Sequence, residues 1–325
     1  MNILRVLKGK IIGGIKFILN KKGFLLIDKK QYNSILHYSE NLLNAYCNKR
    51  VKSDYIDSIV FSKDRAMQLF AFLKSFDEMI SNKGKMTIIY KSSDERHRKS
   101  YFQLISYFDS QKYVFIEEVD FRSQLIKVCE ESRESTLGLF VDDMIFLQKI
   151  DFDLINKVNP LTHIVSLSRG MDLVYSQVLN KKNILPAFKE EASGMFSYNW
   201  NSSDELNDWT YPLGVGGFFY DRIELLSIFK SIDFKAPNSL EGNMQVYLPL
   251  FINRFGLCFK KIACVCVHAN IVQSEWSNPI IGTFSIEELL KKWEDGLSID
   301  ITKFYNKDGM EAKFQKYEFK MRTNF

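Results

Sequence analysis

Residues 56–80 read Ile-Asp-Ser-Ile-Val-Phe-Ser-Lys-Asp-Arg-Ala-Met-Gln-Leu-Phe-Ala-Phe-Leu-Lys-Ser-Phe-Asp-Glu-Met-Ile. Ile56 to Phe61 is a short apolar strand. Beyond a polar break, Ala66 to Ile80 brings Leu69, Phe72, Leu73 and Phe76 onto one helical face. The alternation continues downstream. Met86 to Tyr90 is a second strand, followed by a helix from about Asp94 to Phe108. Tyr113 to Ile116 is a third strand, followed by a helix through Leu125 and Val128, and Leu137 to Val141 is a fourth. Strands alternating with helices of this length predict an α/β fold with a Rossmann-like, mostly parallel central sheet and flanking helices. Ligands of such sheets lie beyond the C-terminal ends of the strands, so those ends carry the functional reading.

Three of those ends are polar: Ser62-Lys63-Asp64-Arg65, Lys91-Ser92-Ser93-Asp94 and Asp142-Asp143. No GxGxxG follows the first strand and no GxxxxGK[ST] occurs anywhere, so neither a dinucleotide fold of the usual kind nor a P-loop is supported. The sharpest feature is Asp142-Asp143. Two adjacent carboxylates at the end of an apolar strand are costly to bury without a cation. Mg²⁺ and Mn²⁺ prefer carboxylate and phosphate oxygens, and such an ion can neutralise a departing diphosphate. An acidic turn capping the next element is the competing reading.

Taken in order, Ile-Val-Phe-Ser-Lys-Asp-Arg-Ala-Met-Gln-Leu (59–69), Ile-Ile-Tyr-Lys-Ser-Ser (88–93) and Phe-Val-Asp-Asp (140–143) resemble bacterial glycosyltransferases of the A fold, the family-2-like and exostosin-like enzymes of surface-polysaccharide synthesis. Segments 196–200, 211–215, 237–243 and Val272-Gln273 fit the same group, and the resemblance covers roughly residues 55 to 305. It implies an A-type glycosyltransferase fold and a nucleoside-diphosphate-sugar donor at the sheet edge. Ser62, Lys63, Asp64 and Arg65, with Ser92 and Ser93, would line the base and ribose pocket. Asp142 and Asp143 stand at the family's DxD-type motif, which holds Mn²⁺ or Mg²⁺ and the diphosphate. Position 144 is Met where a third acid is common. Asp143 is then the favoured direct ligand, with Asp142 on the ribose or on metal-bound water.

The second half offers further candidates. His163 to Ser168 is a strand ending at Arg169, which could meet phosphate or lie in a surface turn. Residues 184–210 read as a long polar and aromatic loop in which Trp200 and Trp209 either stack on a sugar or pack the loop. Gly214-Val215-Gly216-Gly217 permits unusual dihedrals. Residues 238–243 are expected to precede a helix from about Met244 to Arg254. Glu241 is the candidate general base of an inverting transfer, or a carboxylate favoured by the helix dipole. His268 closes a strand from Ile262 to Val267 and is a further candidate metal ligand.

Composition bounds the alternatives. The chain has 325 residues, 46% hydrophobic and 26% charged, with 27 Phe, 15 Tyr, 4 Trp and only 6 Pro, which excludes a disordered or low-complexity protein. Residues 1–52 hold 11 Lys/Arg against Asp28 and Glu40, while the remainder is slightly acidic. This argues against nucleic acid as a partner of the main body. Leu4, Leu7, Ile11, Ile15 and Ile18 share a helical face, with Arg5, Gly9 and Lys16 opposite, so residues 1–22 suit an anionic membrane surface. Five cysteines in no disulfide pattern fit a reducing cytosol, and Cys264 and Cys266 read as strand core. The expected organisation is a basic amphipathic helical extension (1–52), a catalytic domain (53–310, nucleotide half 53–145, acceptor half 146–310) and a C-terminal tail (311–325). The expected place is the cytoplasm, peripheral on the inner face of the membrane. The expected activity is a metal-dependent hexosyl transfer to a hydroxyl of a glycan or lipid-linked acceptor. A nucleotidyltransferase acting on sugar phosphates, or a non-catalytic membrane-associated scaffold, is the alternative.

Overall fold

The computed structural model describes residues 15, 19, 21–24, 26–46, 54–108, 110–270 and 284–322. The first half comprises α1 (Lys29–Tyr46), β1 (Asp57–Lys63), α2 (Ala66–Met79), β2 (Met86–Lys91), α3 (Glu95–Tyr107), β3 (Tyr113–Glu117), α4 (Phe121–Glu131) and β4 (Thr136–Val141). The principal elements of the second half are β5 (Met144–Phe146), β6 (His163–Gly170), β7 (Lys189–Glu190), β8 (Phe196–Asn199), β9 (Phe218–Asp221), α5 (Arg222–Ser231), α6 (Pro237–Met244), β10 (Phe255–Phe259), β11 (Cys264–Cys266), α7 (Ile286–Glu294), β12 (Leu297–Ile299), α8 (Gly309–Lys313) and β13 (Phe319–Met321).

Nine of these strands form one sheet in the order β7-β8-β10-β6-β9-β4-β1-β2-β3. Seven run in one direction, and β8 and β9 run against them. This is the mostly parallel α/β sheet with flanking helices that the sequence predicts. The parallel strands β1 and β4 are buried along nearly their whole length, as helices on both faces require. Phe72 and Phe76 of α2 meet Phe140 of β4 and Phe146 of β5 in mutual ring contacts, so α2 is clamped to the sheet directly behind the Asp142-Asp143 turn. Asp94, Asp120 and Asp221 cap α3, α4 and α5 by accepting backbone N–H bonds.

The second half departs from the sequence reading in several places. Residues 184–210 are not one long loop, because β7 and β8 add to the sheet edge by antiparallel pairing. Trp200 and Trp209 are fully buried and pack edge-on against Tyr198, with Trp209 Nε1 donating to Leu173 O at 3.2 Å. They are core, and no sugar can stack on them. Segment 238–243 lies inside α6 instead of preceding a helix, since Pro237 starts the helix at its first position. Glu241 is therefore past the first turn and gains little from the helix dipole. The expected strand from Ile262 to Val267 shortens to β11, which pairs with β5 in a two-stranded ribbon. Cys264 is core, and burial pushes its thiol well above the usual range.

Both ends of the described chain are built into the domain. Residues 311–322, expected as a tail, complete α8, bury Tyr317 and pair β13 with β12. Within the basic extension, α1 lies on α5. Tyr38 Oη donates to Glu224 Oε1 at 2.8 Å, and Arg254 donates to both oxygens of the same carboxylate at 2.6 and 2.8 Å. The membrane-facing reading of residues 1–22 falls almost wholly outside the described residues. Among the described residues no helix is long and apolar enough to cross a membrane.

Docking of α1 has a measurable consequence. Tyr38→Phe removes a hydroxyl bonded to a buried carboxylate, and the expected loss is about 1.5 kcal/mol in urea unfolding. An unchanged midpoint would show that α1 does not hold to α5 in solution.

Candidate functional site

The register of the parallel strands sets the site. Phe61 lies opposite Val141 and Lys63 opposite Lys91, so the residues after β1, β2 and β4 emerge side by side. Asp64 turns the chain at φ 53° and sends its N–H to Lys91 O at 3.0 Å. Asn and Asp enter this left-handed region more readily than most residues. Its carboxylate accepts from Ser93 N at 2.7 Å and Ser93 Oγ at 2.6 Å, which fastens the two loops together. Ser92 Oγ turns instead to Glu117 at 3.3 Å, and Lys91 pairs with Glu118 at 2.7 Å.

Arg65 is the centre. Its Nη1 donates to Asp142 Oδ1 and to Asp143 Oδ2, each at 3.1 Å. Its Nε donates to Asn270 Oδ1 at 3.0 Å, and Nη2 to the Asn270 carbonyl. Ser62 Oγ donates to Asp142 Oδ2 at 2.8 Å and meets Tyr101 Oη at 2.7 Å, and Tyr101 Oη accepts from Arg65 N at 3.2 Å. Asp142 and Asp143 are only 3% and 7% exposed. Burial pushes Asp142 above the usual carboxylate range, Arg65 opposes that rise, and Asp143 adds to it. Arg65 thus sets one cation of the chain against this buried pair.

The carboxylates differ in what remains open. Both oxygens of Asp142 are engaged. Asp143 Oδ1 accepts no hydrogen bond from any described residue. Val267 N donates to Asp143 O at 2.9 Å, which carries His268 alongside, and burial lowers the imidazole pKa while the Asp143 charge raises it. Asp143 and His268 are the two side chains that would hold a divalent ion, with Asp142 beside them. Among the described residues no set of three or more His, Cys, Asp or Glu side chains is arranged to hold a metal. Oxygens of a bound phosphate and waters would have to complete the coordination of Mn²⁺ or Mg²⁺.

Across the turn stands the second half of the domain. Gly217, at φ 78°, ties β4 to β6, its N–H donating to Leu139 O at 2.7 Å and its carbonyl accepting from Leu167 N at 2.8 Å. Arg169 is buried and is no surface turn residue. Its Nε donates to Asp208 O at 2.9 Å, Nη1 to Ser168 Oγ at 3.1 Å, and the guanidinium lies 5.3 Å over the Phe218 ring. Burial pushes Glu241 up to about 7, while the facing Tyr211 hydroxyl and Arg169 draw it down. Burial pushes the Cys266 thiol up, Asp143 and Glu241 add to the rise, and Lys313 and Arg169 oppose it, so these groups lie within electrostatic reach of β11.

Of the residues singled out in the sequence, Ser62, Arg65, Asp142 and Asp143 form one bonded cluster, with His268 adjacent, while Arg169 and Glu241 lie within electrostatic reach of each other and bond to none of the four. Asp64, Ser92 and Ser93 belong to the neighbouring loop clasp, and Lys63 is half-buried with it. Sequence reasoning missed Tyr101, Asn270, Tyr211 and Lys313. Tyr101 is fully buried and offered only helical spacing as a signal. Asn270 lies 205 positions from its partner Arg65 and offered none. Asn270 Nδ2 is buried without a partner, beside a cavity of about 10 Å³ lined by Arg65, Gln68, His97 and Trp293, room for about one water. Val272-Gln273 lies outside the described residues.

No family model matches this chain. It is 24% identical over 301 residues to the bifunctional glycosyltransferase pgtA of Dictyostelium discoideum, an overlap covering 82% of this chain and 38% of that protein. The chain thus spans well under half the length of its relative. A nucleotidyl transferase from Methanothermobacter thermautotroptrophicus is 10% identical at a TM-score of 0.37, covering 64% of this chain and 89% of that one. That likeness is too loose to bear on the fold.

The Arg65 cluster is testable as a unit. Arg65→Met leaves two buried carboxylates without their cation and is expected to cost about 3–5 kcal/mol. Combining it with Asp142→Asn is expected to cost clearly less than the sum of the single changes, read from urea unfolding of all four proteins. Additivity within about 0.5 kcal/mol would show that the groups are not coupled.

Proposed function

We propose that this chain transfers a sugar from a nucleoside-diphosphate sugar to an acceptor hydroxyl. The observation that carries the reading is the buried Ser62–Arg65–Asp142–Asp143 cluster at the C-terminal edge of the parallel sheet. The similarity to a glycosyltransferase over 82% of the chain supports it. The nucleotide would lie over the β1 and β2 ends, against Ser62, Lys63, Asp64, Ser92 and Ser93. Asp142 would meet the ribose or a water, and Arg169 would meet the diphosphate from the other side.

A Mn²⁺ or Mg²⁺ ion bound at Asp143 and His268 would offset the charge of the leaving diphosphate. The protein's own part is placement. Arg65 holds the two carboxylates in a fixed geometry through one shared nitrogen, so little reorganisation would accompany the reaction. In an inverting transfer, Glu241 would take the proton of the acceptor hydroxyl as that oxygen attacks the anomeric carbon. The bond from that carbon to the diphosphate oxygen breaks with its electron pair on the leaving group. A carboxylate raised to about 7 is a stronger base than an ordinary one, which favours this role. The transferred sugar is proposed to be a hexose and the acceptor a glycan or lipid-linked saccharide of a capsule, O-antigen or lipooligosaccharide. Residues 1–22 would then bring the site to an anionic bilayer on the cytoplasmic side.

Four measurements bear on this. A thermal-shift panel of nucleotide sugars, with and without Mn²⁺, is expected to show stabilisation by at least one member through mass action. No shift with any member would defeat the reading. For that donor, Asp143→Ala is expected to lower kcat at least 100-fold. Turnover limited by Glu241 must fall tenfold per pH unit below about 7, because only the ionised form accepts a proton, and level off above it. Glu241→Gln is expected to abolish that dependence together with most of the rate, and full activity in this variant would remove Glu241 from the mechanism. Removing residues 1–22 is expected to release the protein from anionic vesicles and leave donor binding intact. Continued vesicle binding would refute that division of labour.

A further inference from the structure

Asn270 occupies the edge of Arg65 that would otherwise close on a carboxylate. A guanidinium pairs most tightly with a carboxylate through two parallel N–H groups, and Nε and Nη2 form such an edge. Here both are spent on one residue. Nε donates to Asn270 Oδ1 at 3.0 Å, and Nη2 donates to the Asn270 carbonyl. Nη1 alone is left for the acidic pair, and it divides itself between Asp142 Oδ1 and Asp143 Oδ2 at 3.1 Å each. Ser62 takes the other oxygen of Asp142 at 2.8 Å, while Asp143 Oδ1 accepts from no described residue.

The hold on Arg65 is itself built. Asn270 and Gln68 are both buried, and Gln68 Nε2 donates to the same Asn270 Oδ1 at 3.3 Å. With two donors facing it, that atom has to be the amide's oxygen, so Nδ2 turns the other way. Nδ2 is buried without a partner among the described residues, beside the cavity of about 10 Å³ that has room for one water. Gln68 stands on α2, which the phenylalanine contacts with β4 and β5 fix in place. One nitrogen shared between two carboxylates leaves the pair with net negative charge. A two-nitrogen pair with Asp143 would neutralise that residue more fully and cover its open oxygen. Asn270 prevents this with two neutral acceptors, which hold the edge and add no charge.

We propose that Asn270 is a positioning residue: by holding the Nε–Nη2 edge of Arg65 it confines the guanidinium to one nitrogen on the acidic pair and keeps Asp143 Oδ1 open to a divalent cation. The proposal deepens the sugar-transfer reading and rests on it for the role of that cation.

Binding of Mn²⁺ by the full chain without nucleotide, followed by the paramagnetic resonance signal of the free ion, is the test. Asn270→Ala is expected to weaken binding about tenfold or more, because the guanidinium then turns toward Asp143. Asn270→Ser, whose hydroxyl is too short to reach Nε, is expected to do the same and serves if the alanine variant does not fold. Asn270→Asp keeps an oxygen for Nε and Gln68, and is expected to bind Mn²⁺ within about threefold of the wild type or more tightly. In an Arg65→Lys background, where the ammonium has no such edge, Asn270→Ala is expected to change the affinity by less than about threefold. A residue that only stabilised the fold would lower the urea midpoint and leave the Mn²⁺ affinity of the folded protein unchanged, and that result would overturn the proposal. So would an equal loss in the Arg65→Lys background, an Asn270→Asp variant as weak as Asn270→Ala, or no Mn²⁺ binding by the wild type. Failure of the sugar-transfer reading is a separate result: no nucleotide sugar is bound or consumed, while Mn²⁺ affinity still depends on Asn270 through Arg65.

Discussion

A single guanidinium, that of Arg65, stands against two adjacent buried carboxylates, Asp142 and Asp143, and reaches on to Asn270. Two like charges at the end of an apolar strand repel each other and lose their hydration, and neither penalty is met by packing. Arg65 meets both at once, because its planar fork can serve several acceptors from one position. The consequence is structural before it is chemical. The β1 end, the β4 end and the segment after β11 are drawn to one point. Ser62 takes up Asp142 Oδ2, the Asp142 oxygen that Arg65 leaves, and Tyr101 Oη meets Ser62 Oγ.

The surrounding fold keeps this point in place. Phe72 and Phe76 pin α2 to β4 and β5 just behind the turn, so Arg65, immediately before α2, has little freedom to move away. The ribbon of β5 and β11 carries Cys266, Val267 and His268 to the same turn from more than a hundred residues downstream. In the second half of the domain, α6 presents Glu241 and β6 ends on Arg169. These side chains therefore stand on or beside strands and helices, which hold charged groups in fixed positions.

The first half of the domain was legible in the sequence because its elements obey local rules. Each parallel strand is an unbroken apolar run, each helix has a clear face and most have a capping acid, so Ile56 to Val141 could be read almost element by element. The strand-end residues Ser62, Arg65, Asp142 and Asp143 were legible for the same reason. The second half was not, because its decisive contacts are long-range. Trp200 and Trp209 sit among polar residues and look like loop aromatics, yet Tyr198, Phe188 and Leu173 enclose them. Pro237 opens α6 at a place where the neighbouring Asn, Ser and Gly suggested a loop. Strands as short as β7 and β8 carry too little pattern to announce themselves without a partner.

The sequence by itself determined the alternating α/β order, the edge of the sheet at which function should lie, the acidic pair and the need for a cation beside it. Those follow from periodicity, from the chirality of parallel connections and from the cost of buried charge, all of which act locally or on any sheet. Only the tertiary structure decided that Arg65 stands against both carboxylates, and that Asp143 Oδ1 accepts from no described residue. Such outcomes depend on which distant residues exhaust one another's hydrogen-bonding capacity, and that accounting exists only once the chain has brought them together.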